Sequence, residues 1–270
     1  MVVQHNLTAM NSNRMLGVTT ASQAKSTEKL SSGYKINRAA DDAAGLAISE
    51  KMRRQVRGLT QAVANAQDGI SMVQTAEGAL NEVHDMLQRM NELAVKAANG
   101  TMTTEDQLYV DKEVQALKSE INRVATTTTF NEQSLLASAK TFNLQVGAET
   151  STDNQISVKI GKMNASGLGI SGSATSVSSA KTLISQVKSA IKTLNTQRAD
   201  LGAQQNRLEH TVNNLNNVVE NTTSAESAIR DTDMASEMVK YSNNNILAQA
   251  GQSMLAQANQ SNQGVLSLLG

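Results

Sequence analysis

The apolar positions between residues 41 and 100 recur at alternating steps of four and three, the longest regular pattern in the chain. This seam begins with Met52, Val56, Leu59, Val63, Ala66, Ile70 and Val73. Its period predicts one long helix with an apolar stripe suited to a supercoil. Asp41 and Asp42 can cap the amino terminus of this helix, and Gly100 is suited to end it. With a rise of about 1.5 Å per residue, the helix would be on the order of 80 Å long and would need partner helices to bury its stripe.

Two irregularities interrupt this pattern. The seam skips near residues 77–84 before it resumes at Leu80, and two consecutive steps of three there would overwind a heptad repeat. Gly58, Gly69 and Gly78 each disfavour an exposed helix by about 1 kcal/mol relative to Ala. We therefore interpret these glycines as points where another segment approaches the helix closely.

Two shorter helices flank the long one along the chain. Residues 6–30 predict a helix with a thin apolar stripe, followed by a break at residues 31–33. Residues 104–124 predict a helix whose apolar face consists of Leu108, Val114, Leu117 and Ile121. Because helix nucleation is costly, the thin stripe makes the amino-terminal segment marginal in isolation.

Alternation typical of strands occurs in residues 141–146 and 155–160. The turn-rich residues 147–154 join these two runs, so the pattern predicts a β-hairpin. Residues 161–179 are rich in Gly and Ser, which predicts a loop at the tip of the molecule or a short flexible cap.

The last third of the chain repeats the long helical pattern. Five apolar residues lie seven apart, at Val187, Leu194, Leu201, Leu208 and Leu215. They predict a helix over residues 180–230, nearly as long as the one over 41–99, so that one helix runs out and the other runs back. Residues 233–269 carry a further heptad-like seam, and their outer Asn, Gln and Ser side chains can be buried in an assembly at low desolvation cost.

These elements predict a mainly α fold: an elongated antiparallel helical rod or coiled-coil bundle with a small β-hairpin at about residues 141–160. Both termini are expected to pair at one end. We expect residues 41–232 to form the helical rod domain. Residues 1–40 and 233–270 are expected to form a terminal coiled-coil segment that is disordered in the monomer.

The composition narrows the functional classes. The 270 residues include no Pro, Cys or Trp and only five aromatic residues, which suits helical seams better than a compact globule. Lys plus Arg equals Asp plus Glu at 24 each, so no general basic field for nucleic acid is expected. No apolar run approaches the length of a membrane span, and the first residues lack the continuous apolar centre of a cleavable secretory signal.

No residue pattern points to catalysis, a cofactor or a metal. His5, His84 and His210 lie far apart without ligand spacing, and the nucleophile-elbow, phosphate-loop and dinucleotide motifs are absent from the sequence. A basic cluster at residues 51–57 is interpreted as a solvated helix face or as inter-subunit ion pairs rather than as a nucleic-acid site. The 12 Met residues are expected to fill irregular gaps in the seams.

Several segments, in order along nearly the whole chain, resemble bacterial flagellin. They are residues 30–37 (LSSGYKIN), 38–48 (RAADDAAGLAI), 88–94 (QRMNELA), 201–208 (LGAQQNRL), 229–235 (IRDTDMA) and 249–259 (QAGQSMLAQAN). The short stretch between the hairpin and residue 180 stands where many flagellins insert variable outer domains. The resemblance therefore implies a minimal flagellin, a structural subunit of the flagellar filament used for swimming.

The family resemblance also implies partners and a location. The subunit would leave the cell through the flagellar type III export apparatus, with an export chaperone on its carboxy-terminal segment. It would then polymerise with copies of itself between junction and cap proteins in an extracellular filament, without inserting into a membrane or binding nucleic acid. The terminal segments would line the filament channel as an inner coiled coil, with candidate contact residues at Leu7, Met10, Leu247, Met254, Leu255, Val265 and Leu268.

The resemblance further implies recognition by the host Toll-like receptor for flagellin. The matching positions are Arg89 and Leu93, which share a helix face at spacing i and i+4, and Glu113 on the following helix. The same face could instead pack between protofilaments, and both uses can hold together.

Two other functions stay open at this stage. The first is a hook–filament junction protein of the same superfamily, which contributes few copies per filament. The second is an enzyme or toxin on a helical scaffold, which would need an inserted catalytic domain or a hydrophobic hairpin that the sequence does not show.

Overall fold

The structure, a computed structural model, describes residues 6–267, with side chains described as far as residue 261. Its five long helices and two short antiparallel strand pairs confirm the mainly α fold. The elements are α1 (Leu7–Ser32), α2 (Ala43–Ala97), α3 (Thr104–Thr127), β1 (Thr129–Phe130), β2 (Gln133–Ser134), β3 (Lys140–Gln145), β4 (Gln155–Ile160), α4 (Val177–Arg230) and α5 (Met234–Ser267). The chain divides into two compact units, one of residues 55–220 and one formed by the flanking residues up to 54 and from 221 onward.

Local capping explains where the helices begin and end. Asn6 accepts the Ala9 N–H at 3.0 Å to begin α1, and Gly33, at φ 76°, ends it. Asp42 accepts the Gly45 N–H at 2.9 Å at the start of α2, as predicted. The neighbouring Asp41 does not cap α2, because it accepts two backbone N–H groups of the preceding turn instead.

The helix α3 starts with a reciprocal capping box between Thr103 and Asp106. Each of these side chains accepts the backbone N–H of the other residue, which satisfies two free donors at the helix start. The preceding helix, α2, ends at Ala97, three residues before the predicted stop at Gly100.

The core of the unit formed by residues 55–220 follows a heptad stripe along α2. Its buried positions are Leu59, Ala62, Ala66, Gly69, Val73, Ala76, Leu80, Val83, Leu87, Met90, Ala94 and Ala97. The steps of three and four alternate without interruption, so the predicted skip near residues 77–84 is wrong. Ala62 and Ala76 keep the phase, whereas Val63 and Ile70 lie beside the stripe and are only half-buried. On α4, the predicted leucines at 194, 201 and 208 are fully buried.

The predicted hairpin is confirmed. Strands β3 and β4 pair antiparallel in a register that places Phe142 opposite Val158 and Leu144 opposite Ile156. Two glycines of α2 make room for this part of the chain: a β-carbon on Gly69 would overlap Cδ1 of Leu144, and one on Gly58 would lie 2.8 Å from Cβ of Ala148. Gly78 has open space around it, so its interpretation as a close-approach point is wrong.

The segment between β4 and α4 is irregular, but it is not a loose cap. Five of its apolar side chains are buried, at Met163, Ala165, Leu168, Ile170 and Ala174. Two polar side chains of α3 hold its backbone: Asn122 accepts the Ala165 N–H, and Asp111 accepts the Ala174 N–H. The Gly and Ser content predicts an irregular segment, as observed, but it does not predict the hydrogen bonds that join this segment to residues distant in sequence.

In the other unit, α1 packs antiparallel against α5. Ser26 lies opposite Glu237, and Asn6, at the other end of α1, donates to the carbonyl of Ala258. The loop after α1 also pairs with the turn before α5, since Tyr34 and Asp231 form an antiparallel bridge. Pairing of the two terminal helices is therefore present within a single chain.

Candidate functional site

The helices α1 and α5 expose many large apolar side chains. These side chains form what we call the terminal surface: Leu7, Met10, Met15, Val18, Met234, Met238, Val239, Ile246, Leu247 and Met254, with exposed fractions from 49% to 70%. Scattered apolar residues are ordinary on a protein surface, but a concentration of this kind on two paired helices is typical of an interaction site.

The residues predicted for the inner coil lie mostly on this terminal surface. Leu7, Met10, Leu247 and Met254 are each more than half exposed, whereas Leu255 is half-buried. The Val265 side chain and Leu268 lie outside the described residues. Pairing of α1 with α5 in one chain thus leaves four of the predicted contact residues more than half exposed.

The contact between α1 and α5 is made largely by small and polar residues. Gly251 faces Leu16, and a β-carbon on this glycine would lie 3.3 Å from Cδ1 of Leu16. Asn244 donates to the Ser22 hydroxyl at 3.1 Å. Met15, Leu247 and Met254 line a groove beside this contact. The close approach of the two backbones leaves the longer side chains on the outside.

A buried polar pair lies within the same contact. The Ser26 hydroxyl donates to Oε1 of Glu237 at 2.7 Å, and both residues are almost fully buried. The Lys240 ammonium group lies 3.4 Å from the other carboxylate oxygen. The hydrogen bond from Ser26 is the main cause that lowers the pKa of Glu237. A polar pair of this kind fixes the alignment of two helices, because any shift would remove the hydrogen bond from Ser26 to the buried carboxylate.

An arginine near the α4–α5 turn connects several elements. The Arg230 guanidinium lies 4.7 Å from the ring centroid of Tyr34 and forms an ion pair with Glu50 at 2.6 Å. Its carbonyl also accepts the Lys35 N–H at 2.7 Å. On the preceding loop, Asp41 pairs with Lys25 at 2.8 Å, and this contact is the main cause that lowers the pKa of Asp41 to about 2.

The structure brings all three predicted receptor-contact residues to one groove between α2 and α3. Arg89 contacts Glu113 at 2.9 Å and Glu92 at 3.1 Å, and the pair with Glu113 is the main cause that raises the pKa of Arg89. Leu93 is only 3% exposed, so it lies in a groove between α2 and α3 and does not offer an apolar surface contact as predicted. Tyr109, which the sequence analysis did not single out, is 59% exposed and also lines this groove.

Metal-binding groups and membrane spans were also considered for the part of the chain that the structure describes. Residues 6–267 contain no group of three His, Cys, Asp or Glu side chains placed to hold a metal ion. No helix in this range is long and apolar enough to cross a membrane. His84 lies near Gln88 on α2, and His210 is exposed on α4, whereas His5 lies outside the described residues.

Comparison with known proteins gives consistent matches over the chain. The model for the bacterial flagellin N-terminal helical region matches residues 3–141, and the model for the C-terminal helical region matches residues 184–269. A flagellin of Halalkalibacterium halodurans is 50% identical over the whole of both chains. A 31.3 kDa flagellar filament core protein of Treponema maltophilum is 48% identical, again over both whole chains. The crystal structure of Bacillus cereus flagellin aligns with a TM-score of 0.50 and 33% identity, covering 56% of this chain and 88% of that one.

Proposed function

The chain belongs to the bacterial flagellin family, and we propose that it polymerises through its terminal surface into the filament of the bacterial flagellum, which serves swimming. The family and the fold are those of structural subunits rather than enzymes. The observation that carries the proposal is the row of exposed apolar side chains on α1 and α5. The unit of residues 55–220, by contrast, buries the long apolar stripe of α2 in its own core.

The size of the terminal surface supports assembly of many copies. Full burial of one such side chain contributes about 1.5–3 kcal/mol, so burying the exposed half of each would contribute about 1 kcal/mol. Ten side chains would then contribute roughly 10 kcal/mol per subunit before the costs of association. Association costs about 4–15 kcal/mol, which is similar to the gain from burying all ten side chains. Binding is therefore favourable only when most of the terminal surface is covered at once. Contact with several neighbouring copies is the arrangement that meets this condition.

The partners and the location follow from the same proposal. A subunit of the extracellular filament has to pass the type III export apparatus, and its exposed α5 surface is suited to an export chaperone before assembly. Cap and junction proteins would adjoin the ends of the polymer. In this proposal residues 1–40 and 233–270 form the inner coil and order on assembly, while residues 41–232 form the outer helical domain.

The proposal is tested by electron microscopy and sedimentation of the purified full chain under polymerising conditions. The double substitution Leu247→Asn with Met254→Asn removes about 2 kcal/mol of burial and should raise the critical concentration for polymerisation roughly thirty-fold. The matched control, Leu247→Met with Met254→Leu, keeps both positions apolar and should polymerise normally. Equal polymerisation of the two variants would contradict the role of the terminal surface.

The junction-protein alternative is separated by copy number. Filaments sheared from cells should contain this chain as their main component if it is the filament subunit. A few copies per filament would instead indicate a junction protein.

We also propose that the Arg89–Glu113 pair contributes to recognition by the host Toll-like receptor for flagellin. Its support is the resemblance together with the exposure of both charged side chains beside Tyr109. Because Leu93 is buried, its contribution is to hold the groove in place rather than to contact the receptor.

A further inference from the structure

The methionines of the described residues differ widely in exposure, and the most exposed ones lie together. Five in the described residues are between 49% and 64% exposed: Met10, Met15, Met234, Met238 and Met254. All five belong to α1 or α5. Within residues 55–220, by contrast, Met72, Met90 and Met163 are at most 4% exposed, and Met86 and Met102 are half-buried, as is Met52 on the first part of α2. Half of the ten side chains of the terminal surface are therefore oxidisable thioethers.

Gap filling in a core does not account for this placement. Methionine suits irregular core gaps because its side chain is flexible, and Met72, Met90 and Met163 fulfil that role. The five exposed methionines fill no gap in the single chain. Met15 and Met254 line the same groove between α1 and α5, together with Leu247.

We propose that these five methionines make assembly sensitive to oxidation by peroxides, and that this sensitivity is reversible. The inference rests on the proposed function, because it assumes that the terminal surface is the contact between subunits. Oxidised side chains would oppose burial, and reduction would restore it. Subunits outside the filament would be the vulnerable form, since assembly would cover the same side chains.

The chemistry is a two-electron oxygen transfer. The thioether sulfur attacks one oxygen of hydrogen peroxide, the O–O bond breaks and an S–O bond forms. The proton on the transferred oxygen passes to the departing hydroxide, which leaves as water. The product, methionine sulfoxide, is polar and chiral, and methionine sulfoxide reductases return it to the thioether. Burying several sulfoxides without hydrogen-bond partners is unfavourable, which opposes contact between subunits.

The test treats the soluble full chain with limited hydrogen peroxide and locates sulfoxides by peptide mass spectrometry. We expect oxidation at the five exposed methionines before Met72, Met90 and Met163, with loss of polymerisation and unchanged helical content by circular dichroism. Treatment with methionine sulfoxide reductases A and B should restore polymerisation. Oxidation of the three buried methionines first, or normal polymerisation of chains carrying the five sulfoxides, would overturn the inference.

Two variants sharpen the result. Replacing all five exposed methionines by Leu removes their oxidisable groups, so peroxide should reduce the polymerisation of this variant less than that of the unmodified chain. The matched control replaces Met72, Met90 and Met163 by Leu and should stay sensitive. If the fivefold variant fails to polymerise even when untreated, the reductase experiment on the unmodified chain decides the question. Failure of the untreated, unmodified chain to polymerise would contradict the proposed function itself, whereas polymerisation that survives oxidation contradicts this inference alone.

Discussion

The substitution Gly69→Ala tests how the hairpin packs on α2. Gly69 occupies a buried position of the α2 stripe, and a β-carbon there would overlap Cδ1 of Leu144 on β3. The same β-carbon would lie 3.4 Å from Cδ1 of Leu208 on α4. The added methyl group therefore meets side chains from both neighbouring elements.

The expected magnitude comes from two opposing contributions. Replacing Gly by Ala inside a helix stabilises the helix by about 1 kcal/mol, because Ala has less backbone freedom than Gly in the unfolded chain and so loses less of it on folding. Forcing a methyl group into a packed core costs about 1–3 kcal/mol. We expect Gly69→Ala to lower the free energy of unfolding by about 0–2 kcal/mol. Gly78→Ala, with no atom near its β-carbon, should raise it by about 1 kcal/mol.

The assay is urea denaturation of both variants followed by circular dichroism, under conditions that keep the chain unpolymerised. The two variants should differ by about 1–3 kcal/mol in the free energy of unfolding. A third variant, Leu144→Ala, removes the side chain that the methyl group meets, so Gly69→Ala should be stabilising in that background. Equal effects of Gly69→Ala and Gly78→Ala in the unmodified chain would refute the close packing of Leu144 against α2.

Three further predictions follow from the terminal helices and the exposed ion pair. Deleting residues 251–270 should abolish polymerisation while cooperative helical melting persists, as checked by sedimentation and circular dichroism; normal filaments would contradict the inner-coil role. The Glu237 carboxylate has a pKa below its ordinary value of 4.5 in the folded chain, so its stabilising effect is present above pH 4.5 and is lost as pH falls through the folded pKa. Compared with Glu237→Gln, the unmodified chain should therefore lose stability on acidification, which unfolding curves at several pH values would measure, and parallel pH profiles would refute the role of the Ser26 contact. Arg89→Ala should weaken receptor signalling in a reporter assay, and unchanged signalling would remove Arg89 from the contact.

The helices and the hairpin could be predicted from the sequence because their signals are local. The start of α2 after Asp42 and the paired strands β3 and β4 follow from a capping residue and from alternation within a few residues. The seven-residue spacing of the α4 leucines likewise indicates a buried stripe without knowledge of any partner. Each of these local predictions is confirmed because tertiary packing favours the same helix or strand as the local sequence does.

The features that could not be predicted depend on contacts distant in sequence. Ala76 continues the α2 stripe, but an alanine is too small and too common to mark a core position by itself. Strands β1 and β2 have two residues each, which is too few to show alternation. The burial of Leu93 also depends on a neighbouring element, since the groove that contains it includes Val110 of α3.

The terminal helices show why pairing and burial have to be considered separately. The α1–α5 contact contains Gly251, Ser26 and Glu237, and these residues align the helices closely without burying large apolar side chains. Because a buried carboxylate loses its hydration, such a contact contributes specificity of alignment more than net stability. The apolar side chains that could stabilise the pair point outward instead. A sequence pattern typical of a coiled-coil seam therefore corresponds here to an aligned pair that leaves large apolar side chains exposed. In the proposed filament other copies would bury these side chains, and the stability of the terminal helices would then depend on assembly.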